Sequence, residues 1–224
     1  MAGSEGAERV KRLRRLDCCS VSDALDRLEI AGTVTGLAQQ SGSGMVAGRA
    51  ITVRLGVGER PAGALRHLGT TAVEMANSEN VIVIEQRTGL DAGCWGGLLT
   101  LGAKCRGVAG VIADGPVRDI DEAQAYEFPI FSNRLTCITA RGRVVEKDTN
   151  GTVMICDREV AAGDYVIADR SGVIFIPQDR IDEVLDVAEE IAGREAAMAK
   201  AILSGTAIGE VMGGNYENML EVQQ

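Results

Sequence analysis

Residues Gly93–Asp119 read GCWGGLLTLGAKCRGVAGVIADGPVRD, and this stretch decides the fold. It opens with small residues and continues in an apolar-periodic run made of Leu98, Leu99, Leu101 and Ala103. A glycine break at 106–107 precedes a β-branched run over 108–113, which stops at Asp114-Gly115-Pro116. Apolar spacing punctuated by glycine predicts a turn, a helix, a buried strand and a second turn, in that order.

Each predicted turn ends in a group that could bind a ligand. The first ends at Gly96-Gly97-Leu98-Leu99, where a helix begins, and the N–H groups of a first helical turn lack internal partners and attract anions. The second ends at Arg118-Asp119, which places a planar guanidinium beside a carboxylate able to hold a divalent cation. We predict that the two ends form the walls of one site. In the alternative, Arg118 and Asp119 form a salt bridge with each other or cap the next helix, where Asp121 and Glu122 also favour an N-terminus.

A site of this kind would hold an anion between the helix start and Arg118 and a cation on Asp119. This arrangement is suited to chelating a 2-oxo acid. The substrate carboxylate would lie on the N–H groups and its carbonyl oxygen on the metal, so that a pyruvate enolate is stabilised as charge develops. Retro-aldol cleavage and decarboxylation of a 3-carboxy-2-oxo acid both pass through that enolate. Lys104 lies in the middle of the predicted helix, so a metal mechanism is preferred over a Schiff base.

The N-terminal region predicts two helices. Residues 1–7 are small and polar and are expected to be a loose end, whereas Val10, Leu13 and Leu16 are spaced for a helix. Ser20 and Asp23 form a capping-box pattern, so a second helix is expected to start there, with Asp23 as a cap by default rather than a residue that faces a ligand.

Strands and helices alternate between this region and Gly93. Residues 32–48 have a loop composition, and 45–55 alternate as a strand with an interruption at Gly48. Residues 63–76 are helix-like and contain His67, which is expected to be structural or on the surface. Residues 81–84 predict a buried strand.

Downstream of Asp119 the chain is rich in strands. Short strands are expected at 128–131, 144–145 and 153–155. Residues 162–169 predict a turn into a strand and residues 171–177 the strand after it, so this pair predicts a hairpin. An amphipathic helix follows over 179–203, with its acidic residues facing solvent. The order of elements predicts an α/β sandwich with mixed sheets and a C-terminal helix, in one domain over 1–224 with residues 213–224 as a flexible or partner-packing end.

Composition excludes several classes of function. The net charge of −9 disfavours nucleic-acid binding, and the basic residues 9–15 are expected to be the solvated face of the first helix. The six cysteines show no CxxC and no metal spacing, and no apolar run long enough for a membrane span occurs. We expect a reduced, cytoplasmic setting without membrane or nucleic-acid partners, and any metal to be a hard cation such as Mg²⁺ or Mn²⁺.

The stretch around Leu98 resembles the signature of the RraA-like family, GxLLTLxAKxRGVxGVIxDGPVRD, and the likeness extends from about Ser20 to Pro177. This family includes 4-hydroxy-4-methyl-2-oxoglutarate aldolases. The resemblance implies a swivelling α/β/β fold, homotrimers or homohexamers, and a site between subunits. It also implies that a 2-oxo-acid carboxylate binds the N–H groups of Leu98 and Leu99 together with Arg118, and that Mg²⁺ or Mn²⁺ binds Asp119, partly through waters.

One position departs from the family pattern. Active aldolases of the family carry an acidic residue where this chain has Gly97. Asp114, or an acidic residue from a neighbouring subunit, could take over part of its acid–base role. The departure leaves open a decarboxylase, an enzyme for a different and specialised oxo acid, or a non-catalytic regulator, since the family also resembles protein inhibitors of ribonuclease E.

Overall fold

The computed structural model describes residues 2–60, 62 and 66–213. Over these residues the helices are α1 (Ala2–Leu13), α2 (Cys18–Arg27), α3 (Thr70–Met75), α4 (Gly97–Cys105), α5 (Ile120–Ala125), α6 (Ile181–Leu203) and α7 (Ile208–Val211). The strands are β1 (Thr33–Val34), β2 (Ala38–Ser41), β3 (Val46–Gly56), β4 (Asn80–Glu85), β5 (Gly110–Val117), β6 (Ile130–Leu135), β7 (Val145–Thr149), β8 (Val153–Ile155), β9 (Arg158–Val160), β10 (Tyr165–Asp169) and β11 (Gly172–Ile176).

Nine of these strands form one mixed sheet with the order β1-β11-β10-β3-β4-β5-β6-β2, and β7 also pairs with β3. The central strands β3, β4, β5 and β6 are parallel neighbours. The pairs formed by β1, β2, β7, β10 and β11 are antiparallel. The remaining two strands, β8 and β9, form a separate antiparallel pair. The predicted hairpin of β10 and β11 is confirmed.

Alternate residues of each strand serve different cores, because successive side chains point to opposite faces. In β4, Ile82 and Ile84 pack with helices α3, α4 and α5, whereas Val81 and Val83 pack on the other face. That other core also receives Val166 and other residues of β10 and β11. The opposite face of β10 and β11 packs against α1, α2 and α6. The predicted α/β/β sandwich with a mixed sheet and a C-terminal helix is confirmed.

Ion pairs join the first helix to the last long helix. Arg9 contacts Asp182 at 2.6 Å, and Arg12 contacts Asp186 and Glu189 at 2.6 and 2.8 Å. The basic residues of α1 were expected to be only solvated, but these two arginines find their partners on α6. Each such pair is partly exposed and contributes little alone, so the contact rests mainly on the buried apolar residues beneath it.

Two predictions for the N-terminal region are wrong. The first helix starts at Ala2, so residues 2–7 are not a loose end. The second helix starts at Cys18, because Asp17 is its N-cap and accepts a hydrogen bond from Ser20 N. Asp169, from a distant strand, accepts from Cys18 N at 3.0 Å. Ser20 and Asp23 therefore lie inside the helix, and Asp23 is not a cap.

Three further boundaries differ from the predictions. Strands β1 and β2 occupy part of the expected loop at 32–48, and β3 runs through Gly48 without interruption. Gly48 is needed there because a Cβ would lie 2.7 Å from Glu79 O. Strand β5 continues through Asp114-Gly115-Pro116, which was expected to be a turn.

Some predictions lie partly outside the described residues. Of the helix expected over 63–76, residues 63–65 lie outside them, and α3 covers the later part. The expected end at 213–224 lies outside them from residue 214. Within the described part of the chain, no helix combines the length and apolar character needed to cross a membrane.

Candidate active site

The two predicted walls meet because the segment before α4 runs beside the end of β5. Cys94 N donates to Pro116 O at 2.8 Å, and Arg118 N donates to Trp95 O at 3.0 Å. Trp95 and Val117 form a parallel bridge. These bonds place the start of α4 directly against Arg118 and Asp119, as the sequence predicted.

Asp119 connects the two walls. It takes a left-handed backbone conformation, with φ of 57°, immediately before α5. Its Oδ2 accepts from Gly97 N at 2.9 Å, and its Oδ1 accepts from Arg118 Nε at 3.1 Å. Asp119 therefore occupies the first N–H of α4 and also forms the salt bridge that was considered as the alternative arrangement.

The next donors remain free for a ligand. Across the described residues, neither the N–H groups of Leu98 and Leu99 nor the terminal nitrogens of Arg118 have a hydrogen-bond acceptor. Leu98 is 87% exposed and lines an open cavity together with Leu99. An anion placed at this helix start could accept from backbone and guanidinium together.

Glycines form the floor beneath Arg118 and Asp119. A Cβ on Gly93 would lie 3.0 Å from Arg118 Cδ, and a Cβ on Gly96 would lie 2.8 Å from Asp119 Oδ2. Gly96 has φ of −160°, which is extended backbone open to any residue. The absence of a side chain at Gly96 is therefore required by close approach and not by backbone conformation.

A cavity of about 220 Å³ opens in front of this pair. Besides the predicted residues Gly96, Gly97, Leu98, Leu99, Arg118 and Asp119, its lining includes His67, Thr139 and Arg141. Reasoning from sequence missed these three as site residues, because they lie far from Gly93–Asp119 along the chain. The loop that carries His67 is held by Glu146, whose Oε2 accepts from Gly69 N at 2.6 Å.

The structure does not bring Asp114 into this cavity. Asp114 is 7% exposed, and its Oδ1 accepts from Asn133 Nδ2 at 2.9 Å while its Oδ2 accepts from Cys156 N at 2.7 Å. Both oxygens thus tie β5 to neighbouring segments. Asp114 is therefore not among the residues that line this cavity.

Two other reactive groups near the site are unsuited to covalent catalysis. Burial raises the pKa of the Cys94 thiol to about 12, so the thiol stays protonated at neutral pH. Lys104 Nζ donates to Tyr126 O at 2.8 Å and does not line the cavity. Neither a thiolate nor a Schiff-base lysine is therefore presented at this cavity by the described residues.

The donor set at Asp119 suits a hard divalent cation. Among the described residues no group of three or more His, Cys, Asp or Glu side chains is placed to hold a metal. Mg²⁺ does not need such a group, because it is commonly held by one or two carboxylates, with waters and substrate oxygens completing its shell. A carboxylate next to free anion-binding donors fits that pattern.

The fold and the cavity define a class of protein: an α/β/β sandwich in which an arginine–aspartate pair on a glycine floor faces the start of a helix. A sequence profile of the RraA-like family, described as Aldolase/RraA, matches residues 18–175. The chain belongs to the RraA-like family.

Individual proteins and solved structures are also similar to this chain. The chain is 29% identical over 194 residues to a Halalkalibacterium halodurans protein provisionally named as a 4-hydroxy-4-methyl-2-oxoglutarate aldolase, covering 86% of this chain and 88% of that protein. It is 27% identical over 199 residues to Protein DlpA of Legionella pneumophila, covering 89% of this chain but only 32% of DlpA. The chain thus spans about a third of that relative's length. A crystal structure of an uncharacterized Pseudomonas syringae protein matches with a TM-score of 0.82 and 28% identity, covering 92% of this chain and 98% of that one.

Proposed function

We propose that the chain is a divalent-metal-dependent lyase that cleaves a 2-oxo acid by retro-aldol reaction or decarboxylation through a pyruvate enolate. The observation that carries the proposal is the meeting of three features at one cavity: the free N–H groups of Leu98 and Leu99, the free guanidinium nitrogens of Arg118, and the carboxylate of Asp119. The relative from H. halodurans, with its aldolase name, supports the same class of reaction.

The chain's own residues would divide the work as follows. The substrate carboxylate accepts hydrogen bonds from Leu98 N, Leu99 N and the terminal nitrogens of Arg118. Asp119 would hold Mg²⁺ or Mn²⁺, which would supply Lewis-acid stabilisation of the charge on the 2-oxo group. Arg118 Nε is already fixed by Asp119, so the guanidinium is oriented before substrate arrives and is not reorganised during the reaction.

Decarboxylation of a 3-carboxy-2-oxo acid would break one carbon–carbon bond and leave a pyruvate enolate. The bond between C3 and its carboxylate breaks, carbon dioxide leaves, and the electron pair moves into the enolate of pyruvate, which then takes up a proton at C3. Negative charge on the enolate oxygen grows in this step. The fixed donors around it are therefore expected to stabilise the transition state more than the bound substrate.

We further propose a homotrimer or homohexamer in a cytoplasmic setting, with the cavity completed at a subunit boundary. Exposed apolar side chains close to the cavity support this part of the proposal, since Leu98 is 87% and Leu135 52% exposed. Exposed apolar surface of this kind is typical of an interaction site.

Pyruvate release tests the function directly. Oxaloacetate and 4-hydroxy-4-methyl-2-oxoglutarate are supplied in turn, and pyruvate is measured with lactate dehydrogenase, with and without Mg²⁺. We expect turnover that EDTA abolishes and Mg²⁺ or Mn²⁺ restores, above a control with metal and no protein. Rates equal to that control for both substrates at every metal concentration would exclude a lyase acting on either compound and favour a regulator of a protein partner.

A substitution in the glycine floor (Gly93 and Gly96) tests the site without removing any functional group. Gly96→Ala is expected to lower kcat/KM by about 100-fold, because the new Cβ would push Asp119 Oδ2 and Arg118 from their positions and misplacement by about an ångström is costly. The matched control is Gly102→Ala within α4, the helix that Gly96 precedes, where a Cβ would approach only Val73 Cγ1, at 3.4 Å. Equal activity of both variants and the wild type would contradict the role of the floor.

A further inference from the structure

Glu122 lies directly over Gly97. A Cβ built on Gly97 would overlap Glu122 Oε2 and lie 2.9 Å from Glu122 Cδ and 3.3 Å from Asp119 Cβ. Gly97 does not have a positive φ, so its backbone would accept other residues. The space that a side chain at position 97 would need is therefore filled by a carboxylate from α5, next to the carboxylate of Asp119.

This carboxylate has no partner of its own. Within the described part of the chain, Glu122 accepts no hydrogen bond through its side chain and forms no ion pair, whereas Asp119 is bound by both Gly97 N and Arg118 Nε. Two carboxylates thus lie against the same glycine, Gly97. The uncompensated charge favours the approach of a cation.

The two carboxylates also share an open surface. Asp119 and Glu122 line a second cavity of about 390 Å³, which Arg118, Asp121, Leu135 and Thr136 also line. A divalent cation entering from solvent would meet both groups without displacing a packed side chain. Oxygen donors from one or two carboxylates are the protein ligands that Mg²⁺ and Mn²⁺ usually take.

Resting on the function proposed above, we propose that Glu122 is the second carboxylate of the cation site at Asp119, and that Gly97 is a glycine because Glu122 needs its space. Glu122 then supplies from α5 the negative charge that the family resemblance expects at residue 97. Its role is that of a positioning residue, which holds the cation and its hydration in place beside Asp119. The competing explanation is a merely favourable charge at the start of α5.

Binding of Mn²⁺, measured by the loss of its free electron-paramagnetic-resonance signal, separates these explanations without any turnover. Glu122→Gln is expected to weaken Mn²⁺ binding by about 10-fold or more, as is usual for residues that support a metal site. Glu127→Gln is the matched control, since it makes the same change at an exposed residue just after the same helix, outside both cavities, and we expect it to stay within about two-fold of the wild type. Equal weakening in both variants would assign the effect to general charge and overturn the proposal.

A steric variant tests the same idea with every charge retained. Gly97→Ala is expected to weaken Mn²⁺ binding about as much as Glu122→Gln, because its Cβ displaces the flexible end of Glu122. The double variant Gly97→Asp with Glu122→Ala returns a carboxylate to the vacated space and is expected to recover binding to within about three-fold of the wild type. A double variant no better than Glu122→Ala alone would overturn the proposal.

The Mn²⁺-binding and pyruvate-release measurements together separate the role of Glu122 from the proposed lyase activity. Full Mn²⁺ affinity in Glu122→Gln, together with loss in Asp119→Asn, would exclude Glu122 and leave the metal-dependent lyase standing. A wild-type protein that binds no Mn²⁺ and releases no pyruvate would overturn both.

Discussion

Arg118→Ala is expected to lower kcat/KM for oxaloacetate by about 10³-fold. The guanidinium is the one side-chain cation that the described structure fixes against both Asp119 and the start of α4, at 3.1 Å from Asp119 Oδ1. Removing a single fixed donor from a developing oxyanion typically costs about 10²–10³ in rate, and this variant also frees Asp119 from its partner. Pyruvate formation at saturating Mg²⁺, over a range of substrate concentrations, measures the loss.

Arg118→Lys is the informative control for that loss. Lysine keeps the charge but lacks the planar fork, so it cannot bind Asp119 and a substrate carboxylate in the same geometry. We expect it to recover only a small part of the activity, with a raised KM. An alanine variant within about three-fold of the wild type would remove Arg118 from the reaction.

The local sequence was sufficient to predict the helix and the strand that flank the candidate site. Helix α4 and strand β5 were predicted because glycine breaks and a β-branched run are signals carried within a few residues. Strands β1 and β2 were missed because each is short and lies at an edge of the sheet, where pairing with β11 or β6 decides the conformation. β1 has only two residues, and the mainly polar residues of β2 are equally compatible with a loop.

The start of helix α2 was also mispredicted, because its cap depends on a contact that is distant in sequence. Both Asp17 and Ser20 are acceptable caps by residue type, and the sequence favoured the pattern starting at Ser20. The structure selects Asp17 because Asp169, which lies far along the chain, binds the N–H of Cys18 at the start of the helix. A contact of that sequence separation is invisible to any local pattern.

The site was predictable where it is local in sequence and not elsewhere. Arg118, Asp119 and the start of α4 belong to one short stretch, and their meeting follows from a helix and a strand joined by a tight break. His67 and Arg141 reach the same cavity from distant loops, and Asp114 is engaged by Asn133 and the backbone of Cys156. From the sequence, Gly97 only marked the loss of an acidic residue that the family resemblance leads one to expect. The structure shows that the side chain of Glu122 lies over Gly97.

Asp119→Asn is expected to weaken Mn²⁺ binding by about 100-fold and to lower kcat/KM by a comparable factor. Asparagine is the right replacement because Asp119 has φ of 57°, a conformation that asparagine tolerates and that costs alanine about 1–2 kcal/mol. Its Oδ1 can still accept from Gly97 N, so the contact to α4 survives while the charge is lost. Any loss then reports on the carboxylate as a cation ligand and not on the fold.

Two controls accompany the Asp119→Asn measurement: thermal unfolding, which tests the fold, and a variant that removes one charge elsewhere. Asp119→Asn should unfold within a few degrees of the wild type, and Glu127→Gln, which removes one charge outside both cavities, should bind Mn²⁺ with nearly wild-type affinity. If Asp119→Asn binds Mn²⁺ as tightly as the wild type, the cation site lies elsewhere. If it loses Mn²⁺ but keeps full turnover, the reaction does not depend on the cation, and the anion-binding donors of Leu98, Leu99 and Arg118 must act without it.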